Sequence, residues 1–178
     1  DHPFSPSTPY AVSRAAADMS LLSFIKAYEF PVVFTRAANV YGEHQQLYRI
    51  IPRTILYFLT GAKLQLHGGG TSVRSFIHIE DVCEGTQRAA ERGQTGEVFH
   101  FATEQNISIR SLVELIAERM GVRFEEHVEV TGERLGKDAA YLLDCSLAKE
   151  RLGWKPRITL KKGLERTTGW VRANLEEL

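Results

Sequence analysis

Short β-branched and aromatic runs alternate with helical repeats along this chain, and that alternation narrows the fold more than any other feature. "FPVVFTR" (30–36) reads as a buried strand, being short, apolar and rich in β-branched and aromatic side chains. It leads into "AANVYG" (37–42), small residues before a turn. "KLQLHGGGTSVRSFIHI" (63–79) reads as two short strands around a glycine-rich hairpin turn, and "EVFHFAT" (97–103) as another strand. "FEEHVEV" (124–130) alternates like a half-exposed strand.

Helices fill the intervals. Residues 11–28 carry Ala15, Met19, Leu22 and Ile25 as an apolar stripe with no Gly or Pro to break it. Residues 50–60 turn Ile51, Ile55, Phe58 and Leu59 inward, with Pro52 in the first turn and Gly61 as the stop. Asp81 can cap a helix that ends near Gly93, and Ser108 one that ends at Gly121. Asp144 opens a short helix stopping at Gly153, and Thr159 can cap the last, with Leu160, Leu164, Val171 and Leu175 on one face. Strands alternating with helices from end to end define an α/β class.

A chain of 178 residues fits one domain or one and a half. Lys plus Arg equals Asp plus Glu, 22 against 22, which argues against a nucleic-acid binder but leaves room for a local anion site. Cys83 and Cys145 have neither metal spacing nor a disulfide framework; buried, reduced thiols and a reducing cytoplasm are expected. No metal site is expected. No apolar run approaches the ~18 residues of a membrane span. The first residues, "DHPFSPSTPY", lack the basic and apolar regions of a signal peptide.

Four stretches carry candidate chemistry. Tyr10 and Arg14 lie four apart at a helix start, on one face, where a nearby cation stabilises a phenolate. "RAANVYG" (36–42) puts small residues after a buried strand, and the carboxyl ends of such strands are where α/β sheets bind ligands. Asn39 there either donates to a phosphate or closes the turn. In "LHGGGTSVRSFIHIED" (66–81) no Walker pattern follows the glycines, but Arg74 sits in an apolar strand and needs an anionic partner, internal or bound. Arg134 falls in the loop "ERLGKDAAYLLD" (133–144), where an Arg is ordinarily solvated. His67, His78, His100 and His127 lack metal-ligand spacing and read as satisfied structural histidines.

The order of motifs is more specific than any one of them. "PYAVSRAAAD", "FPVVFTRAANVYG", "RIIP", "LQLHGGGTSVRSFIHIEDV", "GEVFHFAT", "SIRSLVELI" and "ERLGKDAAYLLDCSLAKERLGWKP" follow in turn. This succession resembles the carboxyl half of extended short-chain dehydrogenases/reductases, and more narrowly the NAD-dependent nucleotide-sugar epimerases and 4,6-dehydratases. The likeness covers nearly the whole chain; "RSFIHIEDV" and "LGWKP" are its most specific parts. "RIIP" after "NVYG" leans toward the dTDP-glucose or CDP-glucose 4,6-dehydratases.

The resemblance implies a partial doubly wound, Rossmann-like sheet without its first half (1–42 and 74–93) and a smaller α/β substrate domain (43–73 and 94–178). It implies that Tyr10 shuttles the proton of a sugar hydroxyl during hydride transfer with NAD. Arg14 stands where the family has a Lys that contacts the nicotinamide ribose. Ala37, Ala38 and Asn39 match the loop beside the nicotinamide and the substrate phosphates. Arg49, Ile50 and Pro52 match the segment lining the nucleotide, and His67 the side chain that packs on the base. Arg74 and Arg134 match the pair that clamps the diphosphate, and His100 replaces an Asn. A cytoplasmic enzyme acting on a nucleotide-diphosphate sugar is expected, as a homodimer or self-associating through exposed apolar surface. The glycine-rich cofactor loop and the dehydratase acid/base pair are not in this sequence. The expectation is therefore a chain inactive alone; the alternative is a non-catalytic binding or interaction module.

Overall fold

The computed structural model describes residues 5–132 and 140–178, with backbone only at 140 and 141. Helix α1 spans Pro9–Tyr28, β1 Phe34–Ala37, β2 Asn39–Tyr41, α2 Ile50–Thr60, β3 Leu64–His67, β4 Val73–His78 and α3 Ile79–Arg92. Then come β5 Val98–Phe101, β6 Asn106–Ser108, α4 Ile109–Met120, α5 Phe124–His127, β7 Val128–Thr131, β8 Ala140–Tyr141, α6 Ser146–Leu152 and α7 Leu160–Ala173. The protein is α/β, as the alternation requires. Parallel pairs join β1 to β5, β2 to β4, β3 to β7 and β4 to β8, while β6 runs antiparallel to β4. Among the described residues no helix is long and apolar enough to cross a membrane.

Two apolar clusters flank β4, because successive side chains of a strand point to opposite faces. Phe76 joins Tyr41, Ile55, Leu66, Leu112 and Leu164 on one face. Ile77 joins Phe99, Phe101, Ala148, Leu152 and Trp154 on the other. Close approach is built in at Gly163 of α7, where a Cβ would lie 2.1 Å from the Tyr41 hydroxyl.

Five expectations are corrected, the Asp81 cap last. The glycine turn does not make a hairpin: β3 pairs with β7, and β4 with β2, β6 and β8. Gly68, Gly69 and Gly70 all adopt positive φ (59°, 65° and 70°), the left-handed region open to glycine, and this turn swings the chain away. "FEEHVEV" is half helix: Arg123 pairs with Glu126 at 2.8 Å and closes the single turn α5 before β7 begins. Cys83 is exposed, because Asp81, Gly85 and Ala89 take the inward face of α3. The α1 stripe is not a core stripe: no residue of α1 is buried, and Met19, Leu22 and Phe24 face solvent. A 2.7 Å ion pair from Asp18 to Arg36 of β1 ties the helix to the sheet.

Asp81 does not cap α3. His78 does, its Nδ1 accepting from the Glu80 N–H at 3.3 Å. Asp81 is instead 2% exposed, and its carboxylate accepts the backbone N–H groups of Arg157 and Ile158, each at 3.0 Å. Its carbonyl accepts from the Trp154 indole at 2.9 Å. One residue thus fastens the "GWKPRI" crossover to the start of α3. Asp81→Ala deprives two part-buried backbone donors of their acceptor, each bond worth about 1 kcal/mol, so urea unfolding should show a loss of about 2 kcal/mol; a loss under about 0.5 kcal/mol would contradict this role.

Candidate functional site

The site is built where β2 runs out. Gly42 turns the chain at φ 155°, and a Cβ there would meet Ile79 Cγ2 at 2.6 Å; the position suits only glycine. The next three residues are each fastened. Glu43 accepts from Arg166 Nε of α7 at 2.8 Å and pairs with His78 Nε2 at 3.1 Å. His44, at φ 62°, stacks on Trp170 with ring centroids 4.9 Å apart. Gln45 Nε2 donates to the Val40 carbonyl at 2.7 Å. The loop therefore folds back over β2 and encloses a cleft of about 530 Å³, lined by Asn39, Gln45, Tyr48, Arg49, Ile50 and Phe76 among others.

The electrostatics support that loop. His78 is fully buried. Its Nδ1 accepts from Glu80 N–H, so Nε2 carries the proton and donates to Glu43. Arg166 also donates to the Glu80 carboxylate. Burial pushes the Glu43 carboxyl up, but the bond from its own backbone N–H and the Arg166 guanidinium outweigh it and hold the group below its ordinary 4.5. The Arg166 hydrogen bond lowers Glu80 in the same sense. Burial first, then the charges of Asp81 and Glu43, raise the Tyr41 phenol. It stays neutral, with its hydroxyl on the Leu160 carbonyl at 3.4 Å.

Ala38, Asn39, Arg49 and Ile50 come together on this cleft. The Asn39 amide donates to the Ser75 carbonyl at 3.1 Å, and Arg49 lies over the Tyr48 ring at 5.4 Å. Arg74 is on the Phe76 face of β4, one side-chain repeat away, with Nη1 donating to the Val73 carbonyl at 2.7 Å. Pro52 is buried in the first turn of α2 and supports the wall from behind. His67 ends β3 and is bonded to Thr131 at 2.8 Å, away from the cleft lining. Tyr10 is 75% exposed on the first turn of α1; Arg14 is also exposed, one turn on. Thr8 starts that turn, accepting from Ala11 N–H at 3.1 Å. Ala37 ends β1, one residue past the Arg36–Asp18 tie to α1. Arg134 lies outside the described residues.

Gln45, Tyr48 and the Glu43–Arg166 pair were not singled out from the sequence. Glu43 and Arg166 are 123 positions apart, and no local pattern marks such a pair. His100 is only half satisfied: Nδ1 donates to the Asp144 carbonyl at 3.1 Å, while the buried Nε2 has no partner among the described residues. Burial lowers its pKa and keeps it neutral. A second cavity of about 900 Å³ opens on the opposite, Ser75 face of β4, lined by Thr103, Asp144, Cys145 and Lys149 among others. Burial pushes the Cys145 thiol up, which disfavours a nucleophilic role.

Residues 1–167 match the family model described as GDP-mannose 4,6 dehydratase. The dTDP-glucose 4,6-dehydratase of Streptomyces antibioticus is 34% identical over 172 residues, which are 97% of this chain and 51% of that protein. The crystal structure of DesIV, a dTDP-glucose 4,6-dehydratase from Streptomyces venezuelae with NAD bound, superposes with a TM-score of 0.94 at 31% identity, over 98% of this chain and 54% of that one. The UDP-glucose 4-epimerase of Thermotoga maritima, solved with UDP-glucose, superposes with a TM-score of 0.88 at 30% identity, over 98% and 55%. The chain spans about half the length of the relatives it matches.

Arg166→Ala removes the bond that depresses both carboxyls, and should cost about 1 kcal/mol at neutral pH. A depressed carboxyl stabilises the fold above its ordinary value of 4.5, and that contribution is lost as pH falls through the lower, folded value. Urea midpoints followed from pH 7 downward should therefore drop more steeply below 4.5 in the parent than in the variant; parallel curves would remove Arg166 from this role.

Proposed function

The chain belongs to the GDP-mannose 4,6 dehydratase family, and on that footing we propose that it binds a nucleotide-diphosphate sugar in the cleft beneath residues 42–49, as part of an NAD-dependent 4,6-dehydratase or epimerase. The carrying observation is the convergence of Asn39, Arg49 and Ile50 on one enclosed wall, with Arg74 on the same face of β4. A guanidinium fork suits a diphosphate; Arg49 is at the cleft, and Arg74 and Arg134 are assigned to the phosphates beyond it. The second amide hydrogen of Asn39 serves a phosphate oxygen. His67 is assigned to the base, and Pro52 to holding the wall rather than to contact.

Tyr10 is assigned the proton transfer at a sugar hydroxyl, with Arg14 supplying the positive charge beside it. Both stand on the open face of α1, and Ala37 and Ala38 offer the small side chains a nicotinamide needs. Bound NAD supplies the hydride acceptor for sugar C4. These residues fit only its nicotinamide end: no glycine-rich strand-to-helix loop for the pyrophosphate occurs in the sequence. No step through the dinucleotide is derived for this chain.

The division into a Rossmann-like part (1–42 and 74–93) and a substrate part (43–73 and 94–178) is likewise proposed and rests on the family alone, since each apolar cluster draws residues from both parts. The exposed Met19, Leu22 and Phe24 of α1 support self-association, since contiguous apolar surface marks an interface.

Titration calorimetry with UDP- and dTDP-sugars should show binding, and Arg49→Ala should weaken it about tenfold, or ~1.4 kcal/mol. NAD should bind weakly and turnover should be absent. Failure to bind any nucleotide sugar would overturn the assignment; turnover by the chain alone would overturn the expected inactivity.

A further inference from the structure

We propose that Tyr48 is a positioning residue for Arg49: its ring carries the face of the Arg49 guanidinium and leaves the N–H edge to the diphosphate of the bound nucleotide sugar. This rests on the cleft being the nucleotide-sugar site. Both residues line that cleft. Tyr48 is 64% exposed, so it is no part of the core. Among the described residues its side chain makes one hydrogen bond and one ring contact. The hydroxyl donates to Gln46 Oε1 at 2.6 Å, and the Arg49 guanidinium carbon lies over the ring, 5.4 Å from its centroid. That separation is within the reach of a cation–π contact.

The contact decides what Arg49 can offer. A guanidinium carries its N–H donors in its own plane, as a fixed fork. A carboxylate partner would occupy that edge and cancel the charge. An aromatic ring takes the face and does neither. Among the described residues the Arg49 guanidinium has no hydrogen bond and no ion pair, so fork and charge stay available to an anion. The main chain on either side is already fixed. The Arg49 N–H donates to the Gln46 carbonyl at 3.1 Å, and its own carbonyl accepts the Arg53 N–H at 2.9 Å, where α2 begins. Only the long side chain remains to be ordered. Tyr48, tied to Gln46, restricts it before a ligand arrives, and ordering done in advance is not charged against binding.

The test is titration calorimetry of UDP-glucose into the whole chain: parent, Tyr48→Leu, Tyr48→Phe, Arg49→Ala and the Tyr48→Leu/Arg49→Ala double variant. Thermal melts establish that each is folded. Tyr48→Leu should weaken binding about threefold. Tyr48→Phe keeps the ring and should bind like the parent. Arg49→Ala should cost about tenfold. In that background Tyr48→Leu should cost nothing more, because a residue that acts through another is silent in its absence. A folded Tyr48→Leu that binds like the parent would overturn the positioning role and leave the cleft assignment standing. So would a Tyr48→Phe as weak as Tyr48→Leu, which puts the effect on the hydroxyl. So would a double variant weaker than Arg49→Ala by the factor that Tyr48→Leu costs alone, which puts Tyr48 against the ligand itself. A parent that binds no UDP-glucose would overturn both.

Discussion

Arg166 holds together parts of this protein that are far apart in sequence. From α7 it reaches Glu43 after β2 and Glu80 in the first turn of α3, while the buried His78 closes the set from β4. The Glu43 pair is only partly exposed, so its Coulomb attraction is less screened than between fully solvated charges. That grip, with the His44–Trp170 contact and the Gln45 bond to the Val40 carbonyl, folds the loop after Gly42 back over β2. The cleft exists because the loop does.

The remaining architecture delivers residues to this point. Alternation along β4 sends Arg74 and Phe76 toward the cleft and Ser75 and Ile77 toward the α3 and α6 side. Trp154 and Asp81 lock the crossover that returns the chain to α7, and so set where Arg166 can stand. The same alternation separates the cleft from the larger cavity around Thr103 and Lys149. The latter carries Glu104 paired with Lys149 at 2.7 Å and a buried thiol. Helix α1 stands apart: it is capped and long, but it offers its apolar side chains to solvent.

Much of this was legible in the sequence because it was local. Caps at Thr159 and Ser108, stops at Gly61, Gly121 and Gly153, and the inward faces of α2 and α4 all follow from periodicity and end chemistry. The small residues after "FPVVFTR" marked the wall that Asn39 occupies. What was not legible was long-range. Strand partners cannot be read from two strands and a glycine turn, which is why the expected hairpin is two separate pairings. Asp81 has the appearance of an N-cap, and only its distant partners Arg157 and Ile158 show otherwise. Gln45 looks like any loop glutamine until the Val40 carbonyl fixes which way its amide points.

The central claim is that a nucleotide-diphosphate sugar occupies the cleft beneath the Arg166-anchored loop. Backbone amide shifts of the isotope-labelled chain, followed while UDP-glucose is added, test it most directly. The account predicts shifts concentrated at Ala38–Arg49 and at Arg74 and Phe76. Shifts concentrated instead at Thr103, Asp144 and Lys149 on the other face of β4, or none at saturating ligand, would contradict it.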